Sequence, residues 1–190
     1  MRHDDVRQSV SPIEQADIAL ARRLARHRHD RALRKATAFS KLADQPPLSS
    51  AIAAVIAWGL LAGDRRLLRR GAHLAASLAA TAAIKAALKR AVSRTRPNVL
   101  LDKGVYEVEL LGPDDASWHS FPSGHTAGAV AVARAVARCW PKATLPAYVA
   151  ATAVGLVQVP RGSHFPSDVL IGALVGAAAE AAVNALLPPR

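Results

Sequence analysis

The sequence has 190 residues, enough for one compact domain and hardly enough for two. Its 25 lysines and arginines outnumber 14 acidic residues and give a formal net charge of +11, so an anionic partner is expected. A nucleic-acid-binding protein is disfavoured, because only 4% of the residues are aromatic and few bases can stack on them. The single cysteine, Cys139, excludes a zinc-finger spacing and an internal disulfide. Because arginines cluster at the ends of apolar runs, a membrane surface and a phosphorylated lipid fit the charge better.

The N-terminal part of the chain is polar and basic. Residues 1–12 are predicted to be a disordered tail. An amphipathic helix is predicted over 13–45, where apolar residues recur at helical spacing with arginines between them. A break is expected near Arg28-His29-Asp30. The segment is too charged to span a membrane, so it is expected to lie in the membrane interface or to pack against the rest of the domain.

Five apolar runs follow and predict an all-α fold, an integral membrane bundle of about five spanning helices. The runs cover residues 48–62, 71–88, 126–140, 145–159 and 169–187. The first run is shorter than the ~20 residues that a span usually needs, and tilt or protein neighbours can make up the difference. Residues 13–190 are therefore expected to form a single membrane-embedded domain, with 98–120 as a loop over the site that contains a short strand.

The segments between the runs predict how the bundle lies in the membrane. Residues 63–70 are read as a tight turn with four arginines and 138–143 as a second basic turn. The positive-inside rule assigns both turns to the cytoplasmic face. The opposite, outer face then gathers the junctions near 89–96, 123–125 and 161–168. The basic N-terminal helix falls on the outer face too, which counts against this sidedness.

Lys89 and Arg96 form the first of three groups with chemical potential at these junctions. They are seven residues apart, nearly two helical turns, so both cations can face the same way. An arginine fork and a lysine point charge are what the oxygens of a phosphate require. The alternative is a pair of cations that only extend towards water at the membrane boundary.

The second group, Ser123-Gly124-His125, begins an apolar run. Ser123 is a natural N-cap, and Gly124 lets the backbone approach a ligand closely. A helix that begins here directs free N–H groups and the positive end of its dipole at the preceding loop, which favours phosphate. His125 can exchange a proton near neutral pH. A Pro-Ser-Gly turn with an incidental histidine would explain the same residues.

The third group contains His164 and Asp168. Their separation of four residues suits one helical face. A carboxylate on one imidazole nitrogen fixes the tautomer and leaves the other nitrogen free to attack. The alternative is a capped turn, with Asp168 as the N-cap of the last helix and His164 on the surface.

Taken together, the three groups resemble the ordered signatures of a known family. The matching residues are Lys89 with Arg96-Pro97, then Pro122-Ser123-Gly124-His125, then His164 and Asp168 at the ends of a five-residue segment. The family is the type 2 phosphatidic acid phosphatase superfamily, which also contains the vanadium haloperoxidases. The five apolar runs are similar to the helical layout of its membrane branch.

The resemblance implies a mechanism without a metal or another cofactor. His164 would attack the phosphorus and form a phosphohistidine, with Asp168 orienting the ring. His125 would protonate the leaving lipid alkoxide and later help water to hydrolyse the intermediate. The phosphate-binding residues would be Lys89, Arg96, Ser123 and the Gly124 N–H group, which stabilise the charge of the transition state.

One position departs from the family pattern. The family usually carries an arginine six residues before the nucleophilic histidine, and Gln158 stands there in this sequence. As a phosphate-binding residue, Gln158 can donate one hydrogen bond but brings no charge. Arg161 lies three residues later and can take the place of that arginine in the phosphate site. If it does not, the missing charge is expected to slow the reaction by about 10²-fold or more.

Two functions therefore stay open at the level of the sequence. The first is a lipid phosphatase of the plasma (inner) membrane, with its active site on the outer face and no nucleic-acid partner. Its substrate would be phosphatidic acid, phosphatidylglycerol phosphate or polyprenyl diphosphate. The second, motivated by Gln158, is a catalytically impaired membrane protein that binds phospholipid headgroups. A haloperoxidase fits less well, because those relatives are larger and soluble. The oligomeric state is not predicted.

Overall fold

The computed structural model of the chain describes residues 10–189. Within them the fold is almost entirely helical, as predicted, and two short strands join the helices. The α-helices are α1 (Pro12–Ala25), α2 (Arg31–Ser40), α3 (Gln45–Leu61), α4 (Arg65–Ala91), α5 (Pro97–Lys103), α6 (Gly124–Cys139), α7 (Thr144–Gln158) and α8 (Pro166–Leu186). The strands are β1 (Val92–Arg94) and β2 (Val108–Leu110).

The N-terminal segment forms two helices with the break close to its expected place. Helix α1 begins at Pro12 because Ser11 and Glu14 form a capping box, in which the Glu14 N–H donates to Ser11 Oγ (3.3 Å) and the Ser11 N–H to Glu14 Oε2 (3.0 Å). Ser11 and Pro12, which the prediction assigned to the disordered tail, thus belong to the start of α1, and residues 1–9 lie outside the described part. The segment is not helical as far as residue 45, because a 3₁₀ turn at Lys41–Ala43 separates α2 from α3.

All five apolar runs are helical, and the local sequence explains why the helices of the first two runs begin earlier than the runs themselves. Helix α3 includes Pro46 and Pro47 in its first turn, where proline needs no hydrogen bond to its nitrogen. Helix α4 begins at Arg65, inside the predicted basic turn, because Asp64 accepts hydrogen bonds from the N–H groups of Arg66 (2.9 Å) and Leu67 (3.0 Å).

Helices α4 and α8 are the two in the described part that are long and apolar enough to cross a membrane. They have 27 and 21 residues, and α3 is a shorter apolar helix of 17 residues. Because 17 residues of helix measure about 26 Å against a hydrocarbon core of about 30 Å, spanning by α3 and the still shorter α6 and α7 stays a prediction.

Helix α6 lies at the centre of the bundle and packs against α4, α7 and α8. Two glycines bring α8 onto its backbone. A Cβ atom at Gly172 would lie 2.5 Å from the carbonyl oxygen of Ser123, and one at Gly176 would lie 2.2 Å from that of Ala127. Since no side chain fits at either position, the two helices approach as closely as small residues allow.

The segment after α4 is not the simple loop predicted over 98–120. It contains α5 and β2, and β2 pairs antiparallel with β1, with Val92 opposite Leu110. No residue between 98 and 120 lines the cavity described below. The segment contributes to the site indirectly, because the carbonyl of His119 accepts a hydrogen bond from Lys89 Nζ (2.7 Å).

A buried group of charges holds the bundle together towards the end of α6. Glu180 of α8 is fully buried, and its carboxylate accepts from Arg134 Nε (2.9 Å) and from Arg138 Nε. His73 Nε2 lies 3.4 Å from the same carboxylate, and His73 Nδ1 lies 2.9 Å from the Leu187 carbonyl. Pairing of this kind is what a charge needs inside a helical bundle.

Candidate active site

The three predicted junctions meet around one cavity of about 410 Å³. Its wall is built from the C-terminal part of α4, the first residues of α3 and α6, and the turn between α7 and α8. The predicted site residues that line it are Lys89, Arg96, Gly124, His125, Arg161 and His164. The expected convergence of distant segments is therefore present in the structure.

His164 is almost completely buried, with 3% of its surface exposed. Its Nδ1 atom lies 2.6 Å from the carbonyl oxygen of Ser120. Since a carbonyl only accepts, Nδ1 must carry the proton in this contact, and Nε2 keeps its lone pair. Burial lowers the pKa of His164 well below its ordinary value, and the positive charge of Arg96 acts in the same direction. The ring is therefore neutral at physiological pH, as a nucleophile requires.

Asp168 does not hold His164 directly, contrary to the prediction. The helix begins at Pro166, so His164 lies in the turn before it and the four-residue spacing does not place the two side chains together. Asp168 Oδ2 instead accepts from Ser120 Oγ (2.6 Å) and from the Phe165 N–H (2.8 Å). Its influence on His164 passes through Ser120, whose carbonyl holds the ring.

His125 lies across the cavity on the first turn of α6. Its Nε2 atom lies 2.6 Å from Asp44 Oδ1. Asp44 precedes α3 as its N-cap residue, yet its side chain makes no capping hydrogen bond, so the carboxylate is available to the imidazole. A carboxylate in this place offers a countercharge whenever the ring carries a proton.

Four cationic side chains line the cavity, and we refer to them as the cavity cations: Lys85, Lys89, Arg96 and Arg161. Within residues 10–189, Asp44 is the one acidic side chain in the same wall. Arg96 Nε is buried and has no hydrogen-bond partner in the described part of the chain. Burial lowers the pKa of Arg96, and the neighbouring Arg161 charge adds to the effect. Cations gathered in this way leave a positive potential for an anion to neutralise.

Two of the proposed phosphate ligands lie away from the cavity. Ser123 occupies the N-cap of α6 but is fully buried, and its hydroxyl pairs with Thr126 Oγ1 (2.9 Å). Gln158 is also fully buried, and its amide donates to the Val154 carbonyl of its own helix (2.9 Å). Neither belongs to the cavity wall. Both positions are therefore supports of the site in this structure.

Arg161, by contrast, belongs to the wall. Within the described residues its guanidinium makes two long polar contacts of 3.5 Å, from Nη1 to Ser40 Oγ and to Gln158 Oε1. Burial lowers the pKa of Arg161, and the negative charge of Asp44 opposes this shift only in part. The charge that the sequence lacks at position 158 is thus present three residues later.

Gly124 has a packing role as well as a place in the wall. A Cβ atom there would lie 3.0 Å from Cδ of Lys85. The absence of a side chain leaves room for the Lys85 stem to pass the start of α6. Lys85 was missing from the predicted site, although its position as the one charge within an alanine-rich run is a usable signal.

A search of protein-family models and known proteins finds relatives for most of the chain. The model of the PAP2 superfamily matches residues 70–190. A lipid A 1-phosphatase of Rhizobium johnstonii is 33% identical over 84 residues, which are 44% of this chain and 34% of that protein. A lipid A 1-phosphatase of Porphyromonas gingivalis is 35% identical over 81 residues, 40% of this chain and 18% of that protein. The chain thus matches about a third or less of the length of these curated relatives.

Two solved structures are similar over nearly the whole chain. LpxE of Aquifex aeolicus superposes with a TM-score of 0.66 at 26% identity and covers 87% of this chain and 92% of its own. A transmembrane PAP2-type phosphatidylglycerolphosphate phosphatase of Bacillus subtilis gives 0.71 at 22% identity, covering 94% and 87%, which is a likeness of fold. The family match and the two long apolar helices lead to one conclusion: the chain is a membrane protein that belongs to the PAP2 superfamily.

Proposed function

We propose that the protein is a phosphatase that hydrolyses a phosphomonoester or diphosphate of a membrane lipid through a phosphohistidine on His164. The observation that carries the proposal is the hydrogen bond between His164 Nδ1 and the Ser120 carbonyl, inside a cavity with four cations. This contact fixes a neutral imidazole with one nitrogen free to attack. The cations supply the positive charge that holds and stabilises the phosphoryl oxygens, because positioning and electrostatics dominate phosphoryl transfer.

In the first half of the reaction, the Nε2 lone pair of His164 attacks the phosphorus. A nitrogen–phosphorus bond forms while the bond from phosphorus to the lipid oxygen breaks. His125 gives its proton to the departing oxygen, which leaves as the lipid alcohol or, from a diphosphate, as the lipid monophosphate. The Asp44 carboxylate stabilises the protonated ring beforehand.

In the second half, water replaces the histidine on the phosphorus. His125, now neutral, takes a proton from the water as its oxygen attacks, and the nitrogen–phosphorus bond breaks. Inorganic phosphate leaves and both histidines return to their starting states. The cavity cations stabilise the charge on the phosphoryl oxygens in both halves, and Arg161 supplies the charge that Gln158 lacks.

An apolar cavity next to the site supports a lipid as the substrate. It has a volume of about 280 Å³ and shares Ala43 and Leu48 with the site cavity. It extends between α2, α6 and α7, and every residue in its wall is apolar. A substrate whose phosphate binds the cations can therefore lay the first part of its hydrocarbon chain here.

The outer surface of the bundle supports five spans. Large apolar side chains are exposed on α3, α7 and α8, among them Leu61 (84%), Leu145 (74%) and Leu174 (56%). Such exposure suits lipid better than water. With five spans, the cavity faces the outer side of the inner membrane, and the arginine-rich start of α4 faces the cytoplasm.

The test is phosphate release by the purified full chain in detergent. The panel contains phosphatidic acid, phosphatidylglycerol phosphate, polyprenyl diphosphate and, because of the relatives, lipid A 1-phosphate. His164→Ala should lower turnover by about 10⁴-fold or more. His119→Ala is the matched control, because the His119 ring pairs with Asp114 (2.8 Å) and does not line the cavity. Activity should survive EDTA, which tests the prediction that no metal takes part, and full activity of His164→Ala would refute the nucleophile.

The second function, a headgroup-binding protein with little activity, is motivated by Gln158. Because Gln158 is fully buried, an arginine introduced there would disturb packing, so the test is made at Arg161. If Arg161 supplies the missing charge, Arg161→Gln lowers turnover by about 10²-fold. A slow wild-type protein that Arg161→Gln does not slow further, but that still binds vesicles of anionic lipid, would favour the binding function.

A further inference from the structure

Asp17 connects the N-terminal helix α1 to the centre of the molecule. Its side chain is 6% exposed, and Oδ2 pairs with Arg94 Nη2 at 2.7 Å. The same oxygen accepts from Ser167 Oγ (2.6 Å), and Oδ1 accepts from the Ser167 N–H (2.9 Å). Asp17 is buried although α1 lies at the surface of the bundle, and its carboxylate accepts three hydrogen bonds from other elements. Attachment of α1 to a membrane would not require so precise a position for this side chain.

The contacts of Asp17 continue to the nucleophile. Arg94 Nη1 pairs with Asp168 Oδ1 at 2.8 Å. Asp168 accepts from Ser120 Oγ (2.6 Å), and the Ser120 carbonyl holds His164 Nδ1 (2.6 Å). We call the residues Asp17, Arg94, Asp168 and Ser120 the support network. It links α1 to the ring of His164 through side chains that are buried at every step.

Arg94 depends on α1 for much of its environment. It is 6% exposed and lies 4.0 Å from the centre of the Phe165 ring, so water cannot solvate its charge. Besides Asp17, it reaches Tyr106, whose hydroxyl accepts from Nη2 (3.1 Å) and donates to Glu14 Oε1 of α1 (2.8 Å). Without α1, Asp168 would be the one carboxylate left on this buried cation, beside the hydroxyls of Ser167 and Tyr106, and it would be drawn away from Ser120.

Helix α1 also closes the apolar core behind the nucleophile. Ile18 and Ala21 pack in one cluster with Leu100, Tyr106 and Phe165, which adjoins His164 in the chain. The helix precedes the part of the chain that the family model matches, which begins at residue 70. The site of this chain therefore draws support from a segment that the family match does not cover.

We propose that Asp17 is a positioning residue for His164, and that α1 completes the active site by holding the support network in place. The inference rests on the proposed function, because it assumes that His164 is the nucleophile. Asp17 touches no substrate. It keeps Arg94 between two carboxylates, so that Asp168 and Ser120 remain where the Ser120 carbonyl can accept the Nδ1 proton.

The test compares Asp17→Asn with Asp102→Asn in the full-length protein. Asp102 pairs with Arg28 at 2.7 Å, so it also joins the N-terminal segment to the rest of the chain, but at the surface and away from the network. Asp17→Asn should lower kcat about 10- to 100-fold with KM nearly unchanged, the size of effect seen for outer-shell partners of functional histidines. Asp17→Glu should recover part of the loss, and Asp102→Asn should behave as wild type.

Thermal unfolding in the same detergent separates positioning from stability. All assays are run well below the lowest unfolding temperature, with kcat expressed per folded molecule. If Asp17→Asn does not fold, Ser167→Ala takes its place, because it removes the hydrogen bond that the Ser167 hydroxyl donates to Asp17 and the one that it accepts from Arg94 Nη1 (2.9 Å), and leaves the buried charges paired. It should lower kcat several-fold without changing KM.

Each outcome bears on one of the two proposals. If wild-type protein is active and Asp17→Asn, or Ser167→Ala in its place, turns over as fast per folded molecule as Asp102→Asn, the positioning role is wrong. If instead His164→Ala is as active as wild type, the proposed function fails, whatever the Asp17 variants do. A selective loss of kcat in an active enzyme supports both.

Discussion

Two groups of charged side chains lie near opposite ends of α6, and they differ in whether their cations are bonded to a carboxylate. At the far end, Arg134 and Arg138 both bond to the carboxylate of Glu180. At the cavity, Lys89 bonds to a neutral carbonyl and Arg96 Nε bonds to nothing in the described residues. The bundle pairs its cations at the far end, whereas those of the cavity, where a phosphate is proposed to bind, form no ion pair with the described residues. Cations without a bonded partner thus indicate the position of the site better than the mere presence of cations does.

Arg96→Gln should have the largest effect at the cavity end. Removing one cation from the phosphate site should lower kcat/KM by about 10²- to 10³-fold, because the charge acts on the transition state. Stability should change little, since Arg96 Nε has no hydrogen-bond partner in the described residues and the guanidinium forms no ion pair there. Arg90→Gln, an exposed position one residue after Lys89, is the control. A destabilised but active Arg96→Gln protein would contradict the comparison.

Glu180→Ala should have the reverse effect at the far end. It leaves Arg134 and Arg138 without their anion and should lower the free energy of unfolding by about 3 kcal/mol. Turnover per folded molecule should stay within about twofold, because the site is distant. Unfolding in mixed micelles measures the loss, with the exposed Glu109→Ala as control. Equal loss of stability in both variants would show that the pairing contributes nothing.

Asp44→Asn tests the one acidic side chain in the cavity wall. It keeps a polar group near His125 but removes the negative charge, and turnover of a lipid phosphate should fall about tenfold. With p-nitrophenyl phosphate, whose leaving group needs no proton, the loss should disappear. Asp30→Asn is a matched control, because Asp30 is also an N-cap residue without a capping hydrogen bond. Equal losses with both substrates would contradict the role of Asp44 beside a general acid.

The smallest of the predicted effects, and the one measured most directly, is a change in the pKa of His164 in the Arg96→Gln variant. Burial holds it well below its ordinary value, and the Arg96 charge adds to that shift. Arg96→Gln should therefore raise the pKa towards about 6.5, and the acid limb of activity should move to higher pH. Imidazole ¹⁵N chemical shifts of the substrate-free protein measure it. An unchanged or lower pKa would mean that the two residues do not interact.

The helices and the convergence of the three junctions could be predicted, because both depend on local patterns. Apolar runs of 15 to 20 residues determine helices, and the order of the runs determines which ends meet. The predicted direct contact between Asp168 and His164 is wrong. A four-residue spacing brings side chains together only inside a helix, and α8 begins at Pro166, after His164.

The supporting contacts could not be predicted from local patterns. Asp17 and Arg94 are 77 residues apart, and neither position carries a signal that names the other. Asp44 reads as an ordinary N-cap before two prolines, and only the fold brings it to His125. Ser120 acts through its main-chain carbonyl, which every residue has, so no sequence pattern could single it out.

The close contact of α8 with α6 determines where the molecule can open. Gly172 and Gly176 leave no gap between the two backbones, so a lipid tail cannot pass between these helices where they touch. On the proposed function, a lipid is therefore expected to enter, and an alcohol to leave, on another side of the cavity. We expect this to be the side where α3 begins and where the apolar cavity meets the site at Ala43 and Leu48. The expected entrance for the lipid and the Asp44 carboxylate beside the proposed acid, His125, thus lie in the same short segment of the chain, residues 43–48.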